Sequence, residues 1–272
     1  MALVAHALGA QVRLVAPLGG PRGARVRALL EDEAVETVVV PIAEETRGTY
    51  TVVDPDQGDV LEVIEPPPTL SEAELGRFTA ATEEAISSAD IVVVSGSLAG
   101  GIPASFVATV VGLARRAGAV ALVDAHGDAL AAALAAEPDL VKPNLSEARA
   151  LTGAALDEDA PRAKLVDLAR TIRSRGPRAV WLSLGRRGSI LVEDGAVWSF
   201  EAEHERPVSA VGCGDALLGG LAAGLAAGQS VRDAAALGVA AAADKLSRAH
   251  PGRVERMGVD AARGRIDVTR VA

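Results

Sequence analysis

Cysteine and aromatic residues are scarce in this chain of 272 residues. The single cysteine, Cys213, excludes an internal disulfide and a zinc site built from cysteines, which predicts a protein of the reducing cytoplasm. Aromatic residues make up 2% of the chain, and the apolar share of 49% rests largely on Ala and Val. This composition favours helices packed closely on a sheet over an aromatic-rich binding face.

Long apolar runs and an export signal are also missing. The longest apolar run, residues 216–228, is shorter than the ~18 residues that a membrane-spanning helix needs. The N-terminal stretch "MALVAHALGAQVRLVAPLGG" lacks the basic start, the apolar middle and the cleavage site of a signal peptide. We therefore predict that residues 216–228 form a buried, tightly packed helix and that the protein is not exported and has no membrane partner.

Positive charge is low as well. The formal net charge is −9, whereas surfaces that bind nucleic acids without specificity rely on clustered Lys and Arg to displace phosphate counterions. We predict no nucleic-acid partner. A local basic pocket for one small phosphate stays compatible with this charge.

Strand-like and helix-like segments alternate over most of the chain. The predicted strands lie in "VETVVVP", "DIVVVSG", "AVALVDA", "LVKPN" and "AVWLSLG", and helices are predicted at Gly23–Asp32 and in "PASFVATVVGLARRAG", "GDALAAALAAE" and "APRAKLVDLARTIRSRG". Strands that are nearly all apolar are typical of a parallel sheet that is covered on both faces. The predicted fold class is α/β, as a three-layer α/β/α domain with a mostly parallel sheet.

The segment "TRGTYTVVDPDQGDVLEVIEPPP", Thr46–Pro68, interrupts this alternation. It contains two alternating stretches on either side of a turn at Asp54–Gly58, and it ends at prolines. We predict a β-hairpin outside the main sheet. It is either an edge decoration or a lid, since insertions of this kind often cover sites built at strand ends.

Polar residues follow each predicted strand, where open α/β sheets bind ligands. Each has a simple explanation as a turn or cap residue, but their repetition at successive strand ends indicates a shared site. They are Ser95, Gly96 and Ser97; Asp124; Lys142, Asn144 and Glu147; Ser183, Gly185 and Gly188; and Gly212, Gly214 and Asp215.

The stretch "VGCGDALLGG" is a glycine-rich turn that leads into a helix. It fails the dinucleotide pattern G-x-G-x-x-G because Leu217 stands at the third glycine position, and the chain has no G-x-x-x-x-G-K-[ST] motif. A turn of this kind can aim backbone N–H groups at an anion. Asp215 is then either a helix cap or a base that takes a proton from a substrate hydroxyl during phosphoryl transfer.

Two further motifs support a phosphate-handling site. In "VKPNLSEA", Lys142 can meet a phosphate, and Asn144 with Glu147 suits either Mg²⁺ or a capping box. "LSLGRRGSILV" is a strand, a glycine turn and a second strand, which is either a simple hairpin or a backbone surface for a nucleotide.

Five motifs occur in an order and spacing that resemble the phosphofructokinase B group of the ribokinase-like carbohydrate kinases. They are "VSGSLAGGIP", "LVDAHGDAL", "VKPNLSEA", "LSLGRRGSILV" and "AVGCGDALLGG". The resemblance runs from about Ala2 to about Ala243. Within that group, "TRGTYTVVD" followed by "LEVIEPPP" looks most like the branch of 1-phosphofructokinase and tagatose-6-phosphate kinase.

This resemblance implies ATP-dependent phosphorylation of a sugar phosphate, most of all fructose 1-phosphate, with Mg²⁺ as cofactor. Its alternatives are a truncated or non-catalytic nucleotide-binding relative and, less favoured because the glycine pattern is missing, a nicotinamide dehydrogenase. The implied roles are as follows: Asp215 as catalytic base; Gly212, Cys213 and Gly214 as anion hole; Lys142, Ser183, Leu184, Gly185 and Gly188 toward ATP; Arg47 and Asp124 toward the substrate; and Asn144 and Glu147 toward Mg²⁺ through water.

The resemblance also implies a division of the chain and two departures from the family pattern. Residues 1–45 and 69–272 would form the main domain, and residues 46–68 an incomplete β lid through which two copies could form a homodimer. Cys213 stands where Ala is commoner. Family members begin with a strand and a "GGKG" motif before their first long helix, whereas this chain opens with "MALVAHALGA" inside that helix.

Overall fold

The computed structural model describes residues 1–53, 60–203 and 207–271. Its strands, in chain order, are β1 (Arg13–Leu18), β2 (Glu36–Pro41), β3 (Thr49–Val53), β4 (Val60–Ile64), β5 (Ile91–Ser95), β6 (Val120–Asp124), β7 (Leu140–Val141), β8 (Ala179–Ser183), β9 (Ser189–Glu193), β10 (Ala196–Ala202) and β11 (Ile266–Arg270). Its helices are α1 (Ala2–Ala7), α2 (Gly20–Asp32), α3 (Glu72–Ile86), α4 (Ser105–Ala117), α5 (Gly127–Ala135), α6 (Leu145–Thr152), α7 (Arg162–Arg173), α8 (Cys213–Ala226), α9 (Val231–Leu246) and α10 (Arg256–Arg263).

Seven strands form the central sheet in the order β11-β10-β9-β8-β7-β6-β5. Strands β5 to β8 pair in parallel, and the pairs β8–β9, β9–β10 and β10–β11 are antiparallel. Strand β10 therefore runs in the same direction as β5 to β8, and only β9 and β11 are reversed. The predicted mostly parallel α/β sheet is confirmed.

Alternate residues of the central strands enter two different hydrophobic clusters. Val123 and Val180 pack with α4, α5 and α7 on one face of the sheet, whereas Leu122 and Trp181 pack with α8 and α9 on the other. Successive side chains of a strand point to opposite faces. The sheet is therefore the middle layer of three, which explains why its strands are apolar throughout.

The two helices on the second face, α8 and α9, pack through glycine and alanine. A Cβ atom added at Gly220 would lie 2.6 Å from the Gly238 Cα atom, and one at Gly224 would lie 2.7 Å from Ala234. The apolar run 216–228 is thus the buried, close-packed helix that its composition predicts. Among the described residues, no helix is both long and apolar enough to cross a membrane.

The ends of the chain differ from their sequence-based interpretation. Strand β1, with no predicted counterpart, pairs in parallel with β2 as a separate two-stranded sheet, and α2 begins at Gly20 instead of Gly23. The weakly patterned C-terminal region forms α10 and β11, and β11 adds to the sheet edge at β10. These short segments gain their structure from pairing with distant partners, which local periodicity does not reveal.

The predicted hairpin is formed by β3 and β4, which pair with each other as a third sheet. Its predicted turn at Asp54–Gly58 lies outside the described residues. Tyr50 pairs with Val63 and Val52 with Leu61, so these four side chains share one face of the hairpin. All four are exposed.

Candidate active site

The polar residues predicted from strand ends meet at one edge of the central sheet. Ser95 ends β5, Asp124 ends β6 and Lys142 follows β7, while Asp215 lies in the first turn of α8. Parallel strands place their carboxyl ends together, which brings residues from distant parts of the chain to one place. Ser95, Asp124, Lys142 and Asp215 are called the strand-end cluster below.

Asp215 is the third residue of α8, and its side chain is about half exposed. Its Oδ1 atom accepts a hydrogen bond from the Ser95 hydroxyl at 3.3 Å and lies 3.8 Å from the Met1 amino group. The helix is preceded by Gly212 at its N-cap, where no side chain caps the helix. The interpretation of Asp215 as a cap is therefore wrong, and its carboxylate is directed at the sheet edge.

The turn before Asp215 holds Gly212 in the left-handed region, with φ +82°. A Cβ atom here would be strained and would lie 3.2 Å from the Gly252 backbone N atom, so glycine is needed. The Cys213 N–H group donates to the Ala210 carbonyl oxygen at 3.1 Å. Within the described ranges, no protein group accepts a hydrogen bond from the backbone N–H of Gly212, Gly214 or Asp215.

These free N–H groups lie at the positive end of the α8 dipole, which attracts anions. The Lys142 ammonium group adds charge at the same place, because a Cβ atom at Gly214 would lie 3.5 Å from the Lys142 Nζ atom. Cys213 contributes only its backbone to the turn, and desolvation raises the pKa of its thiol above the ordinary value. The turn has the chemistry of an anion-binding site.

Lys142 and Asp124 form a buried ion pair. The Lys142 Nζ atom lies 3.0 Å from Asp124 Oδ2, and the lysine side chain is 5% exposed. Desolvation raises the pKa of Asp124, and the positive charge of Lys142 opposes that rise. The negative charges of Glu147 and Asp215 also raise it, which places both carboxylates near Asp124. The sequence-based roles assigned these two residues to different ligands, whereas the structure pairs them.

Asn144 and Glu147 form a complete capping box at the start of α6. The Glu147 N–H group donates to Asn144 Oδ1 at 2.9 Å, and the Asn144 N–H group donates to Glu147 Oε2 at 2.8 Å. The second carboxylate oxygen of Glu147 takes no part in this box. Within the described ranges, no group of three or more His, Cys, Asp or Glu side chains is placed to hold a metal ion.

The segment "LSLGRRGSILV" is an antiparallel hairpin of β8 and β9 around a single 3₁₀ turn at Gly185–Arg187. The Ser183 N–H group donates to the Pro143 carbonyl oxygen at 3.0 Å, which joins this turn to the Lys142 motif. The Leu184 N–H group bonds to the Gly188 carbonyl oxygen. A Cβ atom at Gly188, where φ is +75°, would lie 1.9 Å from the Phe200 carbonyl oxygen, so a side chain is excluded there.

Arg47 lies in the segment that connects β2 to β3 of the hairpin. Glu65 closes the base of this hairpin, because its Oε2 atom accepts from the Gly48 N–H group at 2.9 Å and from Arg22 Nη1 at 2.6 Å. The Gly48 hydrogen bond, followed by the charge of Arg22, lowers the pKa of Glu65. Arg47 is half-buried, and no described group forms a hydrogen bond or ion pair with it.

Sequence reasoning assigned no role to four residues of this region. Ser95 was a strand-end candidate without a role, and its contact with Asp215 spans 120 residues of sequence. Arg22 lies in no motif, and Glu65, the first residue of "EPPP", received no role because its partners come from separate elements. Lys245, which is fully buried near the turn, was also missed, because a local pattern does not reveal that a lysine is buried.

The arrangement combines three chemical functions at one edge of the sheet. A half-exposed carboxylate stands beside a turn of unpaired N–H groups, and a buried ammonium group lies next to that turn. A carboxylate can accept a proton from a hydroxyl group, while the N–H groups and the ammonium can stabilise negative charge on a transferred phosphoryl group. This combination suits phosphoryl transfer to an alcohol.

Comparison with known proteins agrees with this chemistry. The family model described as pfkB family carbohydrate kinase matches residues 1–253. The ATP-dependent 6-phosphofructokinase isozyme 2 of Mycobacterium tuberculosis is 31% identical over 250 residues, which cover 90% of this chain and 72% of that protein. The 1-phosphofructokinase of Rhodobacter capsulatus is 34% identical over 208 residues, which cover 76% of this chain and 65% of that protein.

A solved structure shares the fold. The phosphofructokinase-2 of Escherichia coli in complex with fructose-6-phosphate superposes with a TM-score of 0.87 at 28% identity. The match covers 97% of this chain and 84% of that one.

Proposed function

Because the chain belongs to the pfkB family of carbohydrate kinases, we propose that it phosphorylates a ketohexose phosphate with ATP, above all fructose 1-phosphate to fructose 1,6-bisphosphate. Membership makes it a phosphotransferase with an alcohol group as acceptor. The single observation that carries the proposal is Asp215 beside the unpaired N–H groups of its own helix start. Fructose 1-phosphate is favoured by the relative at 34% identity and by the "TR" and "EPPP" features of the hairpin.

In the proposed reaction, Asp215 takes the proton of the sugar hydroxyl as that oxygen attacks the γ-phosphorus of ATP. The new O–P bond forms as the bond to the bridging oxygen of ADP breaks, and ADP leaves with that electron pair. The N–H groups of Gly212 and Gly214 stabilise the charge on the transferred group. Ser95 orients the Asp215 carboxylate through its hydroxyl group.

The nucleotide would bind along the turn that follows β8. This surface would be formed by Ser183, Leu184, Gly185 and Gly188. The Lys142 ammonium group, which lies next to Gly214, would contact the ATP phosphates. Asp124 keeps the Lys142 ammonium in place, and we propose a supporting role for it in addition to substrate binding.

Magnesium is the proposed metal cofactor, and the donor set near α6 fits it. Glu147 has a carboxylate oxygen outside the capping box, and Asn144 Oδ1 retains a lone pair after accepting one hydrogen bond. Mg²⁺ keeps several waters and needs few direct protein ligands, so these oxygens would hold it through water. When bound, the ion would neutralise charge on the ATP phosphates.

The direct test is an ADP-release assay on the purified protein with fructose 1-phosphate, tagatose 6-phosphate, fructose 6-phosphate and ribose. We expect the highest kcat/KM with fructose 1-phosphate. A preference for fructose 6-phosphate would overturn the substrate assignment but keep the reaction class. ATP binding without ADP formation on any of the four sugars would leave only a nucleotide-binding relative and would reject the catalytic proposal.

Arg47 is the proposed anchor for the phosphate group of the sugar. Its guanidinium group has no hydrogen-bond or ion-pair partner in the part of the chain that the structure describes, and a fixed pair of donors suits a phosphate. We expect Arg47→Met to raise the KM for the sugar phosphate at least about tenfold, with kcat lowered less than KM is raised. Arg25→Met, at an exposed position of α2, is the matched control and should leave KM unchanged. An unchanged KM in Arg47→Met would remove this assignment.

The apolar face of the β3–β4 hairpin supports a homodimer through the lid. Tyr50, Val52, Leu61 and Val63 form a contiguous exposed apolar surface, which is typical of a protein interface. We expect the wild-type protein to sediment as a dimer and Leu61→Glu to weaken dimerisation at least about tenfold, because it buries a charge. Met257→Glu, at an 82% exposed position on α10, should not change the sedimentation. A wild-type monomer at micromolar concentration would contradict the proposal.

A further inference from the structure

Lys245 is a fully buried lysine outside the strand-end cluster. It lies in the last turn of α9 with a relative exposure of 0%, among the largest fully buried side chains of the described chain, and the others of that set are apolar. Moving an ammonium group out of water costs several kcal/mol unless other groups compensate for the lost hydration. The position therefore needs an explanation beyond the packing of the core.

The partners of the Lys245 ammonium group are backbone carbonyls. Its Nζ atom donates to the Ser209 carbonyl oxygen at 3.0 Å and to the Arg248 carbonyl oxygen at 2.9 Å. No carboxylate in the described part of the chain forms an ion pair with it, since neighbouring Asp244 pairs with the Arg248 guanidinium group instead. Desolvation lowers the pKa of Lys245, in keeping with a charge compensated only by neutral dipoles.

The two carbonyls belong to the segments that shape the anion-binding turn. Ser209 lies in the segment 207–212, which ends at Gly212. Arg248 is the first residue of the segment 248–252, which ends at Gly252. A Cβ atom at Gly212 would lie 3.2 Å from the Gly252 N atom, so these segments are in contact at the turn itself. Lys245 thus joins the two segments through its two hydrogen bonds. It is also close to the turn itself, because its positive charge opposes the rise in the pKa of the Cys213 thiol.

Few other bonds hold residues 207–212 in this conformation. The Leu246 carbonyl oxygen accepts from the Val208 N–H group at 2.8 Å and, over a longer distance of 3.4 Å, from the Ser209 N–H group. The Val211 N–H group bonds to Ser209 Oγ at 3.3 Å. The Cys213 N–H group closes a turn onto Ala210. Without the ammonium group, the Ser209 and Arg248 carbonyl oxygens would lose their shared donor, and the two segments could separate.

We infer that Lys245 is a positioning residue for the proposed transfer reaction: its ammonium group clamps the segment 207–212 to the segment 248–252 and so holds the Gly212 and Gly214 N–H groups ready for the phosphoryl group. This inference rests on the proposed function. Because the N–H groups act mainly on charge that develops during transfer, the clamp should affect kcat more than the affinity for ATP.

The first experiment truncates the Lys245 side chain and tests whether a free alkylammonium ion restores activity. Lys245→Ala deletes three carbons and the ammonium nitrogen, which n-propylammonium reproduces. We expect the variant to lose at least about thirtyfold in kcat, with ATP affinity within about threefold, and n-propylammonium at tens of millimolar to restore at least about tenfold. Tetramethylammonium at equal ionic strength, which has no N–H donor, should restore nothing. Lys164→Ala, at an exposed position, should be insensitive to both salts.

A second variant covers the case in which Lys245→Ala does not fold. Lys245→Met keeps the length and packing of the side chain but has no charge and no donor. We expect a similar loss of kcat without rescue by n-propylammonium, because no cavity is present. Near wild-type kcat in Lys245→Met, or equal rescue by tetramethylammonium, would overturn the inference.

Hydrogen–deuterium exchange separates this inference from the proposed function. We expect amides in 207–214 to exchange at least about tenfold faster in Lys245→Met than in the wild-type protein, whereas amides of α7 keep their rates. This comparison needs no substrate. If the wild-type protein phosphorylated none of the sugars but the exchange difference appeared, the clamp would stand and the proposed function would fail; unchanged exchange would reject the clamp.

Discussion

Asp215→Asn is expected to lower kcat by about a thousandfold or more while leaving the affinity for ATP within about twofold. Asparagine keeps the size of the side chain and an oxygen that can accept the Ser95 hydrogen bond, but it cannot take a proton at neutral pH. General-base catalysis typically contributes 10²–10⁴-fold to a rate. A thousandfold loss corresponds to about 4 kcal/mol of transition-state stabilisation.

Steady-state kinetics with fructose 1-phosphate and calorimetric titration with ATP would measure the two quantities. Asp233→Asn is a matched control, since Asp233 is also the third residue of its helix, α9. Its carboxylate bonds to Ser230 and Arg232 at the helix start, away from the strand-end cluster. The control should keep kcat within about twofold. A comparable kcat in Asp215→Asn and the wild-type protein would remove Asp215 as the base.

Lys142→Met is expected to destabilise the fold by about 3 kcal/mol at neutral pH, because it leaves the Asp124 carboxylate buried without its partner. Burial already raises the pKa of Asp124, and loss of the lysine charge would raise it further. A carboxyl group with a raised pKa in the folded state adds stability while it is protonated and loses that contribution as the pH rises through this pKa. The deficit should therefore be largest at neutral pH and shrink in acid.

Urea unfolding of the variant between pH 4 and pH 7.5 would measure this deficit. The double variant Lys142→Met with Asp124→Asn should recover most of the stability, since no buried charge is left unpaired. It should not recover catalysis, because the ammonium beside Gly214 is still missing. Lys164→Met, at an exposed position on α7, should change stability by less than about 0.5 kcal/mol. If Lys142→Met lost less than about 0.5 kcal/mol of stability, or if its loss grew in acid, the buried ion pair with Asp124 would not stabilise the fold.

The division of the chain into a main domain, residues 1–45 and 69–272, and a lid, residues 46–68, remains a proposal. The lid strands pair only with each other among the described residues, and the Glu65 side chain ties them to Arg22 of α2. Sequence alternation revealed this hairpin because its paired residues lie only 7 to 15 positions apart, on either side of one turn. Strand β1 was missed because its partner β2 lies 23 positions away across helix α2, and β11 because its pattern is weak and its partner β10 lies 64 to 72 positions away.

The sequence by itself determined the α/β class, the family and the identity of the residues at the strand ends. These features are readable because strand and helix periodicity is local and because glycine, proline and carboxylate positions in a motif are short-range requirements. It left Asp215 between a helix cap and a base, and it left Asn144 and Glu147 between a capping box and a metal site.

Only the tertiary structure decided how those residues combine. It directed Asp215 toward Ser95 and not onto its own helix, it formed the Asn144–Glu147 capping box, and it paired Lys142 with Asp124. It also buried Lys245 against two carbonyls. Apart from the capping box and the bond from Lys245 to Arg248, each of these contacts joins residues at least 18 positions apart. Such contacts depend on how strand ends and helix starts are placed together, which a local pattern does not contain.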